Sequence, residues 1–151
     1  MRFVASSIVL SALALSLSCV PAFAIDERID QQTMAALMIK ADQAAPKEQC
    51  FLYAELVHQM TELAGQQYSS GDGDHASETL RLVQKYAEKI HMGVAQDGKK
   101  LKNAEELMRH TSFRLNGILN AASYEDRQAL QATLKQLEQV QTELMMQVFK
   151  K

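Results

Sequence analysis

Beyond residue 25, apolar side chains recur along this chain at alternating spacings of four and three. Leu130, Leu134, Leu137, Leu144 and Val148 form one such series, with Gln141 set into it. Leu101, Ala104, Met108, Thr111, Leu115, Ile118 and Ala122 form a second. A turn of about 100° per residue places each series on a single helix face. Shorter stripes are Leu80, Val83, Tyr86, Ala87, Ile90 and Val94, and Tyr53, Leu56, Val57, Met60, Leu63 and Ala64. The set Ile29, Met34, Leu37, Met38, Ile39 and Ala41 is more scattered, so that helix either crosses the others or offers a second apolar edge to a partner.

Breakers divide the pattern into five helices. The first spans about 26–44 and stops before Pro46, which restricts the residue preceding it. Pro46 suits the first turn of a second helix, about 46–68. In SSGDGDHASE the glycines end that helix and Asp74 caps a third, about 75–96. A calcium loop begun at Asp72 fails, because Ala76, Ser77 and Val83 fall where ligands or a glycine are needed. Gly98 closes the third helix and the fourth follows, about 99–122. Ser123, with Asp126 three residues on, opens the fifth, which ends near Phe149. Four helices of roughly 22 residues, each about 33 Å long and joined by short turns, predict an all-α antiparallel bundle with a shorter N-terminal helix.

Composition changes the picture at the N-terminus. One arginine, an apolar stretch from Phe3 to about Leu17 and the small-x-small site Ala22-Phe23-Ala24 read as a signal peptide over 1–24. Ser16 stands where lipoprotein processing at Cys19 wants a large aliphatic residue. The expectation is therefore an exported chain with one domain over 25–151 and no stable membrane insertion after cleavage. Taking Arg2 from the 16 basic residues leaves 15 against 18 acidic ones, too mild a balance for a nucleic-acid surface. Cys50 alone survives cleavage, so an internal disulfide and covalent haem attachment through C-x-x-C-H are both excluded.

Among the four histidines, two sit in Glu-x-x-His pairs: Glu55 with His58, and Glu88 with His91. Paired helices carrying that motif, with one glutamate from each of two others, build di-iron carboxylate sites. Glu105 or Glu106 and Glu138 or Glu143 are the available glutamates. The order departs from that pattern, since the two motifs occupy consecutive helices. Face counts against it too: Glu55 lies about 160° and His58 about 100° from Val57, while Glu88 and His91 lie about 140° and 80° from Val83. Carboxylates facing water cannot close a buried centre. The competing account makes His58, between Glu55 and Glu62, and His110, beside Glu106, exposed helical ion pairs. No glycine-rich phosphate loop, nucleophile elbow or ordered catalytic set occurs.

The runs EQCFLYAELVHQMTELAGQQ, LMRHTSFRL and LKQLEQVQTELMMQVF resemble those of small exported all-helical bacterial proteins with no assigned activity. That resemblance implies architecture and export, and carries no site residue with it. AASYEDRQAL is similar to a helix start in periplasmic stress and metal-response proteins, but Ala122, Ser123 and Asp126 depart at its defining positions, leaving an analogy of fold and compartment. The expected function is binding or scaffolding without catalysis, toward a protein partner or a second copy, through the first helix's spare edge or the last helix's ridge. The alternative is a periplasmic metal-binding protein holding a transition metal through Glu55, His58, Glu88 and His91.

Overall fold

In a computed structural model, which describes residues 31 to 90 and 98 to 150, five helices and no strand are present among those residues. They are α1 (Gln31–Gln43), α2 (Pro46–Ser69), α3 (Gly73–Glu88), α4 (Gly98–Ala121) and α5 (Arg127–Phe149). The leader, Cys19, Ile29, His91 and Val94 lie outside the described residues.

Local chemistry explains the boundaries. Pro46 opens α2 behind an extended Ala45, whose carbonyl accepts the Glu48 and Gln49 amides. At the other end the Gly71 amide bonds the Tyr68 carbonyl and the Asp72 amide the Gln67 carbonyl, with Gly71 at φ 81°. This paired closure needs a left-handed residue, which glycine supplies without strain. Asp72 then caps α3, its carboxylate accepting from the His75 amide and ring, whereas the sequence pointed to Asp74. Asp74 instead falls in the first turn of α3. That helix stops at Glu88, short of the expected end, where its last bonds tighten to three-residue spacing: the Lys89 amide to Tyr86 and the Ile90 amide to Ala87. Ser123 and Asp126 do exchange hydrogen bonds, but regular helix begins only at Arg127.

Two antiparallel hairpins, α2–α3 and α4–α5, lie side by side. Contacts between α2 and α4 keep one register: Glu48 with Lys100, His58 with Thr111, Glu62 with Arg114 and Gly65 with Ile118. The separations stay at 52 to 53 residues, so these two helices run parallel. Being antiparallel to them, α3 and α5 also run parallel where they touch. Consecutive α3 and α4 do not touch among the described residues, so the second hairpin stacks beside the first instead of continuing around it.

One core joins all five helices. Leu56, Met60, Leu80, Met108, Leu115, Leu130, Leu137 and Leu144 are essentially sealed from water, and each contributes about 2–3 kcal/mol of burial free energy. Three core threonines spend their hydroxyl protons on carbonyls one turn back: Thr61 on Val57, Thr111 on Leu107 and Thr133 on Ala129. The remaining helix, α1, packs on α2 through Met34, Leu37 and Ala41. A polar clasp holds its end. Asp42 accepts from the Tyr53 hydroxyl and the Lys89 ammonium, each at 2.9 Å, and that ammonium also lies 5.0 Å from the centre of the Tyr86 ring. The lysine, and next the tyrosine, hold the Asp42 carboxyl below its usual range.

Candidate functional site

Because α2 has α1, α3 and α4 as neighbours, its buried surface extends almost around the helix, from Cys50 and Leu52 through Tyr53, Ala54, Leu56, Val57, Met60 and Thr61 to Gly65. Glu55 and His58 therefore do not face open water, as a single-stripe reading places them. Both are half-buried in a groove where α2 runs along α4. Phe51 and Leu107 supply its apolar wall, and Glu55, His58, Glu106 and His110 line it as well.

The orientation of His58 follows from proton bookkeeping. Its Nδ1 lies 2.9 Å from the Thr111 hydroxyl oxygen, and that hydroxyl already donates to the Leu107 carbonyl at 2.7 Å. One hydroxyl proton cannot serve both, so Nδ1–H donates to Thr111 and the neutral ring keeps its Nε2 lone pair. Burial pushes the His58 pKa down, as does nearby His110, against the opposing pull of Glu62 and Glu55. The imidazole is thus neutral near pH 7. Neighbouring Gln59 has its carbonyl oxygen buried with no hydrogen bond. Charged pairs bracket the groove: Lys100 with Glu48 at 2.6 Å towards the helix starts, and Arg114 with Glu62 at 2.9 Å towards their ends. The anticipated ion pair of His58 with its helical glutamates is replaced by the bond to Thr111, since Glu62 turns to Arg114 instead.

The four residues singled out from the sequence separate. Glu55 and His58 stay together, joined by Glu106 and His110 from α4. Glu88 is exposed at the end of α3, which does not line this groove, and His91 lies outside the described residues. Glu138 and Glu143 belong to α5, which does not touch α2. Among the described residues no three histidine, cysteine or acidic side chains converge closely enough to share a metal ion. Cys50 is sealed, and burial pushes its thiol up to about 11. Sequence reasoning missed Gln59 as a groove residue and Thr111 as the buried partner of His58 beneath it. A trace of Thr111 was visible, since a hydroxyl inside an otherwise apolar stripe needs a partner.

No helix among the described residues is long and apolar enough to cross a membrane. No known protein family matches the chain, and no curated protein or solved structure is detectably similar to it.

Proposed function

We propose that this chain is exported and acts as a non-enzymatic binding protein, presenting the α2–α4 groove to a protein partner. One observation carries the reading: the groove holds two acceptors, on Gln59 and His58, that no donor among the described residues satisfies. The Gln59 carbonyl oxygen is buried without a hydrogen bond, the His58 Nε2 lone pair is unused, and the Glu55 and Glu106 carboxylates stand beside them. A complementary segment brings donors, lysine or arginine, around one apolar side chain seated between Phe51 and Leu107. The test places a photo-crosslinking residue at Gln59 in the full chain expressed in an exporting host. Expected are a mature chain cleaved after Ala24 and a discrete adduct that disappears in the Glu55→Lys, Glu106→Lys double variant. An uncleaved chain refutes export, and an adduct indifferent to the charge reversal refutes the groove.

A second reading keeps the transition metal, held at the groove surface by His58 and Glu55 alone, since no three ligands converge among the described residues. It is favoured by the unprotonated His58 Nε2, which is the form an imidazole presents to zinc or copper. Elemental analysis of the untagged mature protein decides it. About one ion per chain, lost in the Glu55→Ala, His58→Ala double variant, supports the metal, whereas a metal-free folded protein refutes it.

A further inference from the structure

Both hairpin turns close the same end of the bundle, and between them the last turns of α2 and α4 border a cavity of about 400 Å³, separate from the groove. That volume falls within the usual range for small-molecule sites, roughly 300–1,000 Å³. Small residues make the space. A β-carbon on Gly117 meets nothing within 4 Å, while one on Gly65 comes within 2.9 Å of Ile118 Cδ1 and 3.5 Å of Arg114 Nη2. The guanidinium thus rests against the Gly65 backbone at the cavity wall. Its Nε is spent on Glu62, and its remaining donors carry no hydrogen bond among the described residues.

Two further groups complete the lining. The Tyr68 hydroxyl is buried with no hydrogen-bond partner. Burial pushes its phenol pKa up and the Asp126 carboxylate adds to this; the Ser77 hydroxyl opposes them from nearby, without a bond of ordinary geometry. Asp126 itself accepts one hydrogen bond, from Ser123, and has a second oxygen to offer. The cavity therefore holds a cation with free donors, a stranded phenol and a carboxylate with a free acceptor, around the apolar Ile118 and Ala122.

We propose that this cavity binds a short zwitterionic peptide, a dipeptide in the first instance, with its carboxylate on Arg114 and Tyr68 and its ammonium on Asp126. Length selects the dipeptide. The guanidinium lies beside Ile118 in the last turn of α4, while Asp126 stands across the turn just before α5, and both line the cavity. An extended dipeptide separates its charges by about 7 Å, whereas a free amino acid holds them only two bonds apart.

The experiment is a calorimetric and NMR titration of the mature protein with Ala-Leu, its N-acetyl form, its C-terminal amide and free leucine. Ala-Leu is expected to bind with a Kd on the order of 0.1–1 mM, and the other three about tenfold or more weakly. Arg114→Gln weakens Ala-Leu binding by about tenfold, and Gly117→Leu, which extends an open helix position into the cavity, abolishes it. Circular dichroism verifies that each variant is folded, and Gly117→Leu alters no polar group. No saturable shift up to about 10 mM Ala-Leu overturns the proposal, as does equal binding of a blocked form or of leucine, or unaltered binding by Gly117→Leu.

Discussion

Replacing Thr111 with valine tests the link between the core and the groove. Thr111 is fully buried, and its oxygen accepts from His58 Nδ1–H at 2.9 Å while its proton goes to the Leu107 carbonyl at 2.7 Å. Valine preserves the shape and removes both bonds. The Leu107 carbonyl keeps its helical partner, so little is lost there. The imidazole N–H instead faces a methyl group, and an unsatisfied buried donor costs about 1–3 kcal/mol. His58 is only half-buried, so the lower half of that range applies, and the added methyl returns up to about 0.8 kcal/mol. The net expectation is a loss of about 1 kcal/mol, or about 3–5 °C in Tm for a chain of this size. Urea and thermal unfolding measure it, and a double-mutant cycle with His58→Leu should show a coupling of at least about 0.5 kcal/mol. Thr61→Val is the internal control. That threonine is equally buried and bonds only the Val57 carbonyl, so its loss should be close to neutral. Equal stability of Thr111→Val and wild type, with coupling below about 0.3 kcal/mol, refutes the assigned ring orientation.

The two helical glycines facing the end cavity separate in the same assay. Gly117→Ala should stabilise by about 0.5–1 kcal/mol, because its β-carbon enters open space, whereas Gly65→Ala should gain less, because Ile118 Cδ1 must move from 2.9 Å; equal gains refute the contact. Cys50 should resist a thiol reagent at pH 8 in the native state and react fully in denaturant, since it is 2% exposed with its pKa raised to about 11; prompt native labelling contradicts that burial. His58, with its folded pKa lowered from 6.5, contributes stability that is present above pH 6.5 and lost as pH falls towards the folded value. The stability difference between wild type and His58→Gln should therefore shrink from pH 7.5 to pH 5, and a difference independent of pH refutes the assignment.

Helix number and most core positions were legible because they depend on local periodicity. The α4 stripe from Leu101 to Ile118 is buried throughout, and in α5 Leu130, Leu137 and Leu144 are sealed, as their spacing implies. Neighbour choice was not legible. The α5 series was too narrow: α5 meets both α3 and α4, so Thr133 and Val140 are buried, while Leu134, Gln141 and Val148 are half-buried. The same blindness misplaced Glu55 and His58, whose surroundings depend on α4 lying alongside α2. Periodicity shows which face of a helix is apolar, but not how many other helices share it. In α1, Ile39 of the scattered set remains exposed while Met34, Leu37 and Ala41 meet α2, an outcome that the irregular spacing left open.

The side-by-side hairpins also impose a timetable on a chain that emerges from its N-terminus. The α2–α3 hairpin closes across the short segment between Ser69 and Gly73, so it is available as soon as residue 88 is free. Its inner surface, with Leu56, Met60, Leu80 and Val83, stays uncovered until α4 and α5 arrive more than 50 residues after α2 begins. Closing that longer loop adds only about 1–2 kcal/mol of entropy, so the delay is set by delivery of the chain and not by the docking itself. During that interval the half-built molecule presents the kind of apolar surface that chaperones grip and that wrong partners join. The chain is therefore most exposed between the arrival of its first hairpin and that of its second, and least so once Leu115 and Leu137 close over the waiting hairpin.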